Sequence, residues 1–562
     1  MKKIISVVLV AVLVLSLVPF TAFAASNSTA ATDGKITSNV CSIVYTSNGQ
    51  QTTYGSYKTL DAAFEALSDL YKAPLKANIA DGDDADTNNN NELYAAAGSP
   101  VIKLNGNFDG AACLPNWVIA SYDMNNVVTI VIDGAKSATE NYTISCGAIT
   151  LFDALAFYNL TVKNTNITFT APLGDHNIRW NGNSQSYAPG ESFTVFENCV
   201  IDQNATAADN GTGNGGLFKM NGKLKAEKDN DGDGINDDTV TTDIFNLTLK
   251  DCTINSASAL GLQVHWGADA NVYLKNTTWA LDGAASTGSN DCILKAYQSG
   301  DIYFNIDGTS KLIGKAVEGS LSTALLKNHN NIGGTCVWEL EAGAELVIDS
   351  QSSTVTKQLF YAPEYTKTQI IDKGVVYKAG KVALENGVTL PALEGVTAWA
   401  ANGEIAAIDD RLIADVEDVI TVTPIKGEII SVLNGAGYKE GGMAFGMAVS
   451  DSVTDILGDK ATYGLIVAPT DYVMFGFDKG ALNPGQFIDL TTDSKGIVDK
   501  NGTKTVIIGF DGIPVDDYDA KYLDVSVRGY ISYKNAAGDT VTIYTPNTYS
   551  ISYAELAAAA AK

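Results

Sequence analysis

Phe157-Tyr158-Asn159-Leu160-Thr161-Val162 opens a pattern that returns as Phe196-Glu197-Asn198-Cys199-Val200-Ile201, Leu249-Lys250-Asp251-Cys252-Thr253-Ile254 and Leu274-Lys275-Asn276-Thr277-Thr278-Trp279. Each run has the order apolar, polar, Asn or Asp, small, apolar or Thr, apolar. Counted from Asn159 to Asn198, Asp251 and Asn276, the intervals are 39, 53 and 25 residues. One coil of chain plus inserted loops accounts for that irregular period. Short strands with Asn at the turns and no helical pattern between them predict a solenoid of stacked coils. The competing arrangement is a β-sandwich of antiparallel hairpins, for which Asn105-Gly106, Asp133-Gly134 and Asn181-Gly182 supply turn signals. The solenoid is the favoured reading.

Before the coils, Thr59 to Tyr71 places Leu60, Phe64, Leu67 and Tyr71 at helical spacing, with Thr59 as N-cap. Asp81 to Asn91 is an acidic, Asn-rich loop. Together with Val101-Ile102-Lys103-Leu104-Asn105-Gly106 and Val131-Ile132-Asp133-Gly134, the helix and the four runs resemble the right-handed parallel β-helix, the fold shared by pectate lyases and many bacterial surface proteins. The resemblance covers roughly residues 40 to 350 and speaks to fold more than to function.

The first residues carry export information. Lys2 and Lys3 precede a stretch from Ile4 to Val18 that is apolar apart from Ser6 and Ser16, and Ala22-Phe23-Ala24 follows as a small-x-small cleavage site. That apolar run falls short of the roughly 20 residues that span a bilayer, so a signal peptide over 1–24 is expected. Cleavage removes two lysines, leaving 35 basic against 64 acidic residues and moving the formal charge from −27 to −29. Such a surface disfavours nucleic acid and anionic membranes and suits calcium and neutral glycans. No later stretch reaches membrane-spanning length, and the end of the chain carries neither a sortase-type signal nor an apolar tail. The expectation is a secreted protein, with any surface retention noncovalent or through another region.

Seven cysteines, Cys41, Cys113, Cys146, Cys199, Cys252, Cys292 and Cys336, are an odd number with no close pairs. Several lie inside apolar runs, which favours buried free thiols and a reducing surrounding.

From about Leu390 the text changes. Trp399, Asn402-Gly403 and Val419 to Pro424 mark a small β module. Farther on, Leu523, Val525, Val527, Ile531 and Tyr533 alternate with Asp524, Ser526, Arg528, Tyr530 and Ser532, and the turn Asn535 to Asp539 leads into Val541-Thr542-Ile543-Tyr544. This closing part resembles a β-sandwich-like module recurrent at the C-termini of secreted proteins of anaerobic Gram-positive bacteria, which implies an accessory or structural duty. The expected fold is therefore all-β: a parallel β-helix over 25–355, a small linking module over 356–428 and a β-sandwich-like module over 429–562.

The sharpest local motif is Asp229-Asn230-Asp231-Gly232-Asp233-Gly234-Ile235-Asn236-Asp237-Asp238. Carboxylates at the first, third and fifth places with Gly at the sixth turn hard oxygens onto one ion, the preference of calcium. Asp229, Asp231, Asp233, the Ile235 carbonyl and Asp237 are the expected ligands. The twelfth place, where EF-hand loops carry a bidentate Glu, is Val240, so Asp238 or Asp243 would have to close the cage.

A β-helix lyase needs calcium and a basic residue that takes the proton α to a carboxylate. Arg179, in Asp175-His176-Asn177-Ile178-Arg179-Trp180, is the sole arginine of the solenoid segment, and the pectate lyase Arg-x-x-Pro-x-x-Arg pattern is missing. The Asn-Thr-Asp, Gly-His-Gly and Arg-Ile-Lys signatures of polygalacturonases are missing as well. Asp202, Asp251, Asp282 and Asp307 fall at positions that could align on neighbouring coils. Arg179, Trp180, His265 and Trp266 are the candidate substrate-binding residues, with Trp279 and Tyr297 as further aromatics, although packing in or against the coil stack is the favoured reading for most of these rings. The sequence thus favours a noncatalytic extracellular or cell-surface protein contacting glycans or the cell envelope. The alternative is a polysaccharide lyase or glycoside hydrolase acting in the β-helix groove.

Overall fold

A computed structural model describes residues 40–47, 50–60, 62–64, 66–67, 100–109, 128–147, 149–152, 155, 158–170, 176–181, 191–203, 216–222, 244–257, 260–265, 267–281, 292–297, 300–314, 324–328, 334–349, 358–361, 368–380, 385, 388–390, 393, 395–407, 411–412, 419–474, 476–535 and 538–562. The expected signal peptide, 1–24, lies outside them. The chain divides into two compact units, one ending at Val376 and the other running from Tyr377.

The first unit is a parallel β-helix. One strand after another joins the same three sheets, and the described coils from Tyr158 to Tyr361 contribute a strand to each. The coil that begins at Glu191 shows the plan: Glu191–Glu197 in the first sheet, Val200–Gln203 in the second and Gly216–Asn221 in the third. Its successor repeats it with Ile244–Lys250, Thr253–Ser256 and Leu260–His265, each paired in parallel register with its predecessor. Parallel first-sheet pairing continues through Thr368–Asp372, so the solenoid runs past residue 355. At the other end the stack is closed by Cys41–Ser47 and Gln50–Tyr57, an antiparallel pair laid on Val101–Leu104. The helical turns over 60–67 follow directly, with Thr59 Oγ1 accepting from Ala62 N at 3.2 Å and Leu60, Phe64 and Leu67 buried.

Asparagine explains the corners between the first and second sheets. Asn164, Asn198, Asp251 and Asn276 sit at φ +49°, +51°, +53° and +47°, the left-handed region that Asn and Asp tolerate best after glycine. Their side chains run up the corner: Asn164 Nδ2 donates to Asp133 Oδ1 (3.0 Å), Asn198 Nδ2 to Asn164 Oδ1 (2.8 Å) and Asn276 Nδ2 to Asp251 Oδ1 (2.7 Å). This register corrects one of the four sequence echoes. Val162 pairs with Phe196, so the true third-coil member is Val162-Lys163-Asn164-Thr165-Asn166-Ile167, not the run around Asn159. The corner Asn164 to Asn198 interval is 34 residues. Replacing Asn198 by Ala should cost about 1–2 kcal/mol, from the disfavoured left-handed backbone and the lost ladder bond. Asn198→Gly keeps the backbone freedom and should recover at least half of that in urea unfolding. Equal losses for both variants would show that the corner conformation is not the cause.

The residue after each corner faces inward and donates back to main chain. Thr277 Oγ1 bonds Lys275 O (3.0 Å) and Leu249 O (2.9 Å), while Cys252 Sγ bonds Lys250 O (3.2 Å) and Phe196 O (3.3 Å), and Cys199 Sγ bonds Glu197 O and Val162 O (both 3.4 Å). Cysteine stands in for threonine here. The six described cysteines are all free and buried. Burial pushes the thiols of Cys41, Cys146 and Cys336 up to about 12, and Cys199 is raised by its hydrogen bond with Cys252 and by burial. In the native protein at about pH 9, where an ordinary thiol is largely thiolate, iodoacetamide should leave Cys41, Cys146, Cys199 and Cys336 unmodified, and denaturation should expose them. Native labelling at the rate of a free thiol would contradict the burial.

The interior is apolar and aromatic. Trp180, Phe196, Phe218 and Trp279 are completely buried, with Phe218 at 6.3 Å, 5.9 Å and 5.6 Å from the rings of Trp180, Phe196 and Trp279.

Among the described residues, the second unit's own strand pairs are antiparallel. Asn402 and Gly403, both at positive φ, make the hairpin turn between Val396–Ala401 and Glu404–Ala407. Ala398, Ala400, Ile405 and Ile425 share one core with residues of the last 130 positions, so Val396–Ala401, Glu404–Ala407 and Ile420–Lys426 pack as part of this unit. Two sheets enclose that core. One orders Ile430–Lys439, Gly442–Val449, Thr503–Asp511 and Ile497–Lys500, and the other orders Ile488–Thr492, Ala461–Pro469, Asp524–Lys534 and Thr540–Tyr544. Val527, Ile531 and Tyr533 point into the core, as the alternation predicts. The opposite face of the same strand is covered too, since Tyr530 packs with Ile466, Ala468, Phe477 and Leu482.

Candidate functional site

Strand alternation turns every second side chain of a coil outward, so residues in register on successive coils form straight rows across a sheet. Two such outer faces carry chemistry.

The first sheet presents an open one. Phe193, Asn246, Asn271 and Tyr303 form one row, and Thr248, Tyr273, Asn305 and Glu339 the next. Phe193 is 47% exposed, and the Tyr273 and Tyr303 rings, on adjacent coils, lie 5.8 Å apart with the Lys275 ammonium 5.8 Å from the Tyr273 ring. Amides bridge the rows lengthwise: Asn271 Nδ2 donates to Asn246 Oδ1 (3.0 Å), and Asn246 Nδ2 to Glu191 Oε1 (3.0 Å). At the far end the Tyr303 hydroxyl donates to Glu339, and Lys373 pairs with both Glu339 and Glu341, the latter at 2.9 Å. The bonds from Lys373 and Tyr303 hold the Glu339 carboxyl below its ordinary value, while burial and then the bond to Glu339 push Tyr303 up to about 12. The result is a half-exposed surface of ring faces, amides and one firmly ionised carboxylate.

The third sheet carries a cationic row. Arg179, Lys219, Gln263, Lys295 and Lys327 occupy one registered position on five successive coils. Beside it lie Asn181, Asn221, His265 and Tyr297, with the His265 and Tyr297 rings stacked at 4.8 Å and the Lys295 ammonium 5.2 Å from the Tyr297 ring. Lys295 and Lys327 are buried, and burial first, then the Lys327 charge, lowers the Lys295 pKa. Gln263 is 3% exposed, and its Oε1 accepts no hydrogen bond among the described residues.

Of the residues expected from sequence, Arg179 and His265 stand together on this face, and Tyr297 joins them. Trp180 does not: its strand, His176–Asn181, turns His176, Ile178 and Trp180 inward, so the indole belongs to the core and presents no face to a ligand. Trp279 is likewise core, donating from Nε1 to Ser256 Oγ at 3.3 Å. Trp266, Asp282 and the acidic loop Asp229 to Asp238 lie outside the described residues. Among the described residues no cluster of three His, Cys, Asp or Glu could hold a metal ion. Three candidate aspartates are occupied structurally. Asp202 accepts from Asn255 Nδ2, Asp251 from Asn276 Nδ2, and Asp307 caps its turn by accepting from Asn276 N, Thr309 N and Ser310 Oγ. Tyr273, Tyr303 and Glu339 went unread because their nomination needs the strand register that lays separate coils side by side.

No protein-family model, curated protein or solved structure matches this chain. Among the described residues, no helix is long and apolar enough to cross a membrane.

Proposed function

We propose that this is a secreted, noncatalytic glycan-binding protein of the bacterial cell surface, which holds a polysaccharide chain along the outer face of its first sheet. The observation that carries the reading is the registered surface of Phe193, Asn271, Tyr303, Tyr273 and Glu339, with the buried Asn246 amide bonded beside it. Ring faces stack on the C–H faces of sugars, and the amides and carboxylate take hydroxyl hydrogens. Coils repeat at strand spacing, so successive sugars meet equivalent groups. In co-sedimentation with insoluble polysaccharides, the mature chain should be depleted from solution and Tyr273→Ala combined with Tyr303→Ala should restore it to the supernatant. Equal sedimentation of parent and variant on every polymer would refute the assignment.

A polysaccharide lyase is the second reading, favoured by Lys295, a lysine whose burial eases loss of its proton, in a row of cations suited to an acidic sugar. It predicts UV-absorbing unsaturated ends from uronic-acid polymers, absent in Lys295→Ala. No such product from the parent would exclude it.

A further inference from the structure

Within the second unit, Pro469 pairs with Val525 at one end of a sheet, and the two chains leave that end side by side. One continues into the turn Thr470–Tyr472, pinned by Thr470 Oγ1 to Ser526 Oγ at 3.0 Å, and the other arrives through the helix Tyr518–Tyr522 and Leu523. Five large apolar side chains stand in solvent here: Tyr472 at 51%, Met474 at 74%, Tyr518 at 73%, Tyr522 at 53% and Leu523 at 44% exposed. They are five of the eleven exposed large apolar residues in the described chain, so the concentration at one end is not incidental scatter. The Tyr518 and Tyr522 rings lie 4.6 Å apart at 35°. Their helix is started by Asp517, which accepts from Ala520 N at 3.2 Å, so the pair is preset in the free protein.

Carboxylates surround the rings. Asp471, Asp516, Asp517, Asp519 and Asp524 are all exposed. That charge repels an anionic lipid surface, a nucleic acid and a second copy of a chain carrying −27. A neutral, hydroxyl-rich ligand meets both features, stacking its C–H faces on the tyrosines and donating hydroxyl hydrogens to the aspartates.

We propose that this end of the second unit is a separate binding site for a neutral polysaccharide, built on Tyr472, Tyr518 and Tyr522. It shares a ligand class with the solenoid reading but none of its residues. Affinity electrophoresis of the full mature chain through gels containing xylan, glucomannan or mixed-linkage glucan tests it. Tyr518→Ala with Tyr522→Ala should weaken retardation about tenfold on the retarding polymer, while Tyr518→Trp retains it. The exposed positions leave the melting temperature unchanged, which separates lost binding from lost fold. Retardation that survives the double variant and disappears with Tyr273→Ala and Tyr303→Ala overturns this site while leaving the solenoid reading intact. A parent retarded by none of the three gels, or captured only by polylysine or phosphatidylcholine vesicles, overturns it as well.

Discussion

Phe218→Ala should destabilise the first unit by about 3–5 kcal/mol, the loss typical of removing a fully buried ring. Phe218 is completely buried and touches rings from neighbouring coils and other sheets: Trp180, Phe196 and Trp279, at 6.3 Å, 5.9 Å and 5.6 Å. Its strand neighbours in register are Ile178 and Leu262. Removing the ring opens a void where all three sheets converge, and strands held by parallel ladders on both sides cannot collapse into it. In a solenoid each coil is supported chiefly by its neighbours, so the damage should stay local. Hydrogen exchange should accelerate in His176–Asn181, Gly216–Asn221 and Leu260–His265 and remain unchanged in Asp524–Lys534. Phe218→Leu should recover most of the loss. A shift in melting temperature no larger than that of a surface substitution would mean that the ring is not a keystone of the stack.

Tyr533→Phe is the second large effect, expected at about 2–4 kcal/mol in the other unit. The hydroxyl of Tyr533 donates to Ile405 O at 2.7 Å and accepts from Ile405 N at 2.8 Å, taking the place of a neighbouring strand for a residue 128 positions away. Ile405 pairs with Ala400 on its other side and is itself buried. Deleting one oxygen therefore strands a buried donor and a buried acceptor, each worth roughly 1–3 kcal/mol when left unsatisfied. Chemical denaturation should show the loss in midpoint with little change in slope. A cost below about 0.5 kcal/mol would mean that water reaches Ile405 and replaces the phenol.

The acidic balance, the apolar runs broken by Asn, and the Asn402-Gly403 and Asn535 to Asp539 turns are local, and each specified its structure without help from the rest of the chain. The parallel β-helix was legible because the inward positions of a coil are apolar wherever the coil lies in the chain, and because a left-handed corner selects Asn whatever surrounds it. The cysteines were legible for the same reason: a thiol in an apolar run packs as one. Register was not. Tyr158–Lys163 and the residue that follows it offer two candidate origins for the repeat, Asn159 and Asn164, and composition cannot choose between them. Only pairing with Glu191–Glu197 does.

Register, coil by coil, decides what faces outward. Trp180 becomes core while Arg179 beside it faces outward, and Tyr273 and Tyr303 meet on one face although 30 residues of chain separate them. The sequence by itself determined the coil, its corners and the β-rich second unit, because those follow from interactions within a few residues. The rows that carry binding chemistry exist only once coils are stacked, because their members are neighbours across a hydrogen-bonded ladder and strangers along the chain.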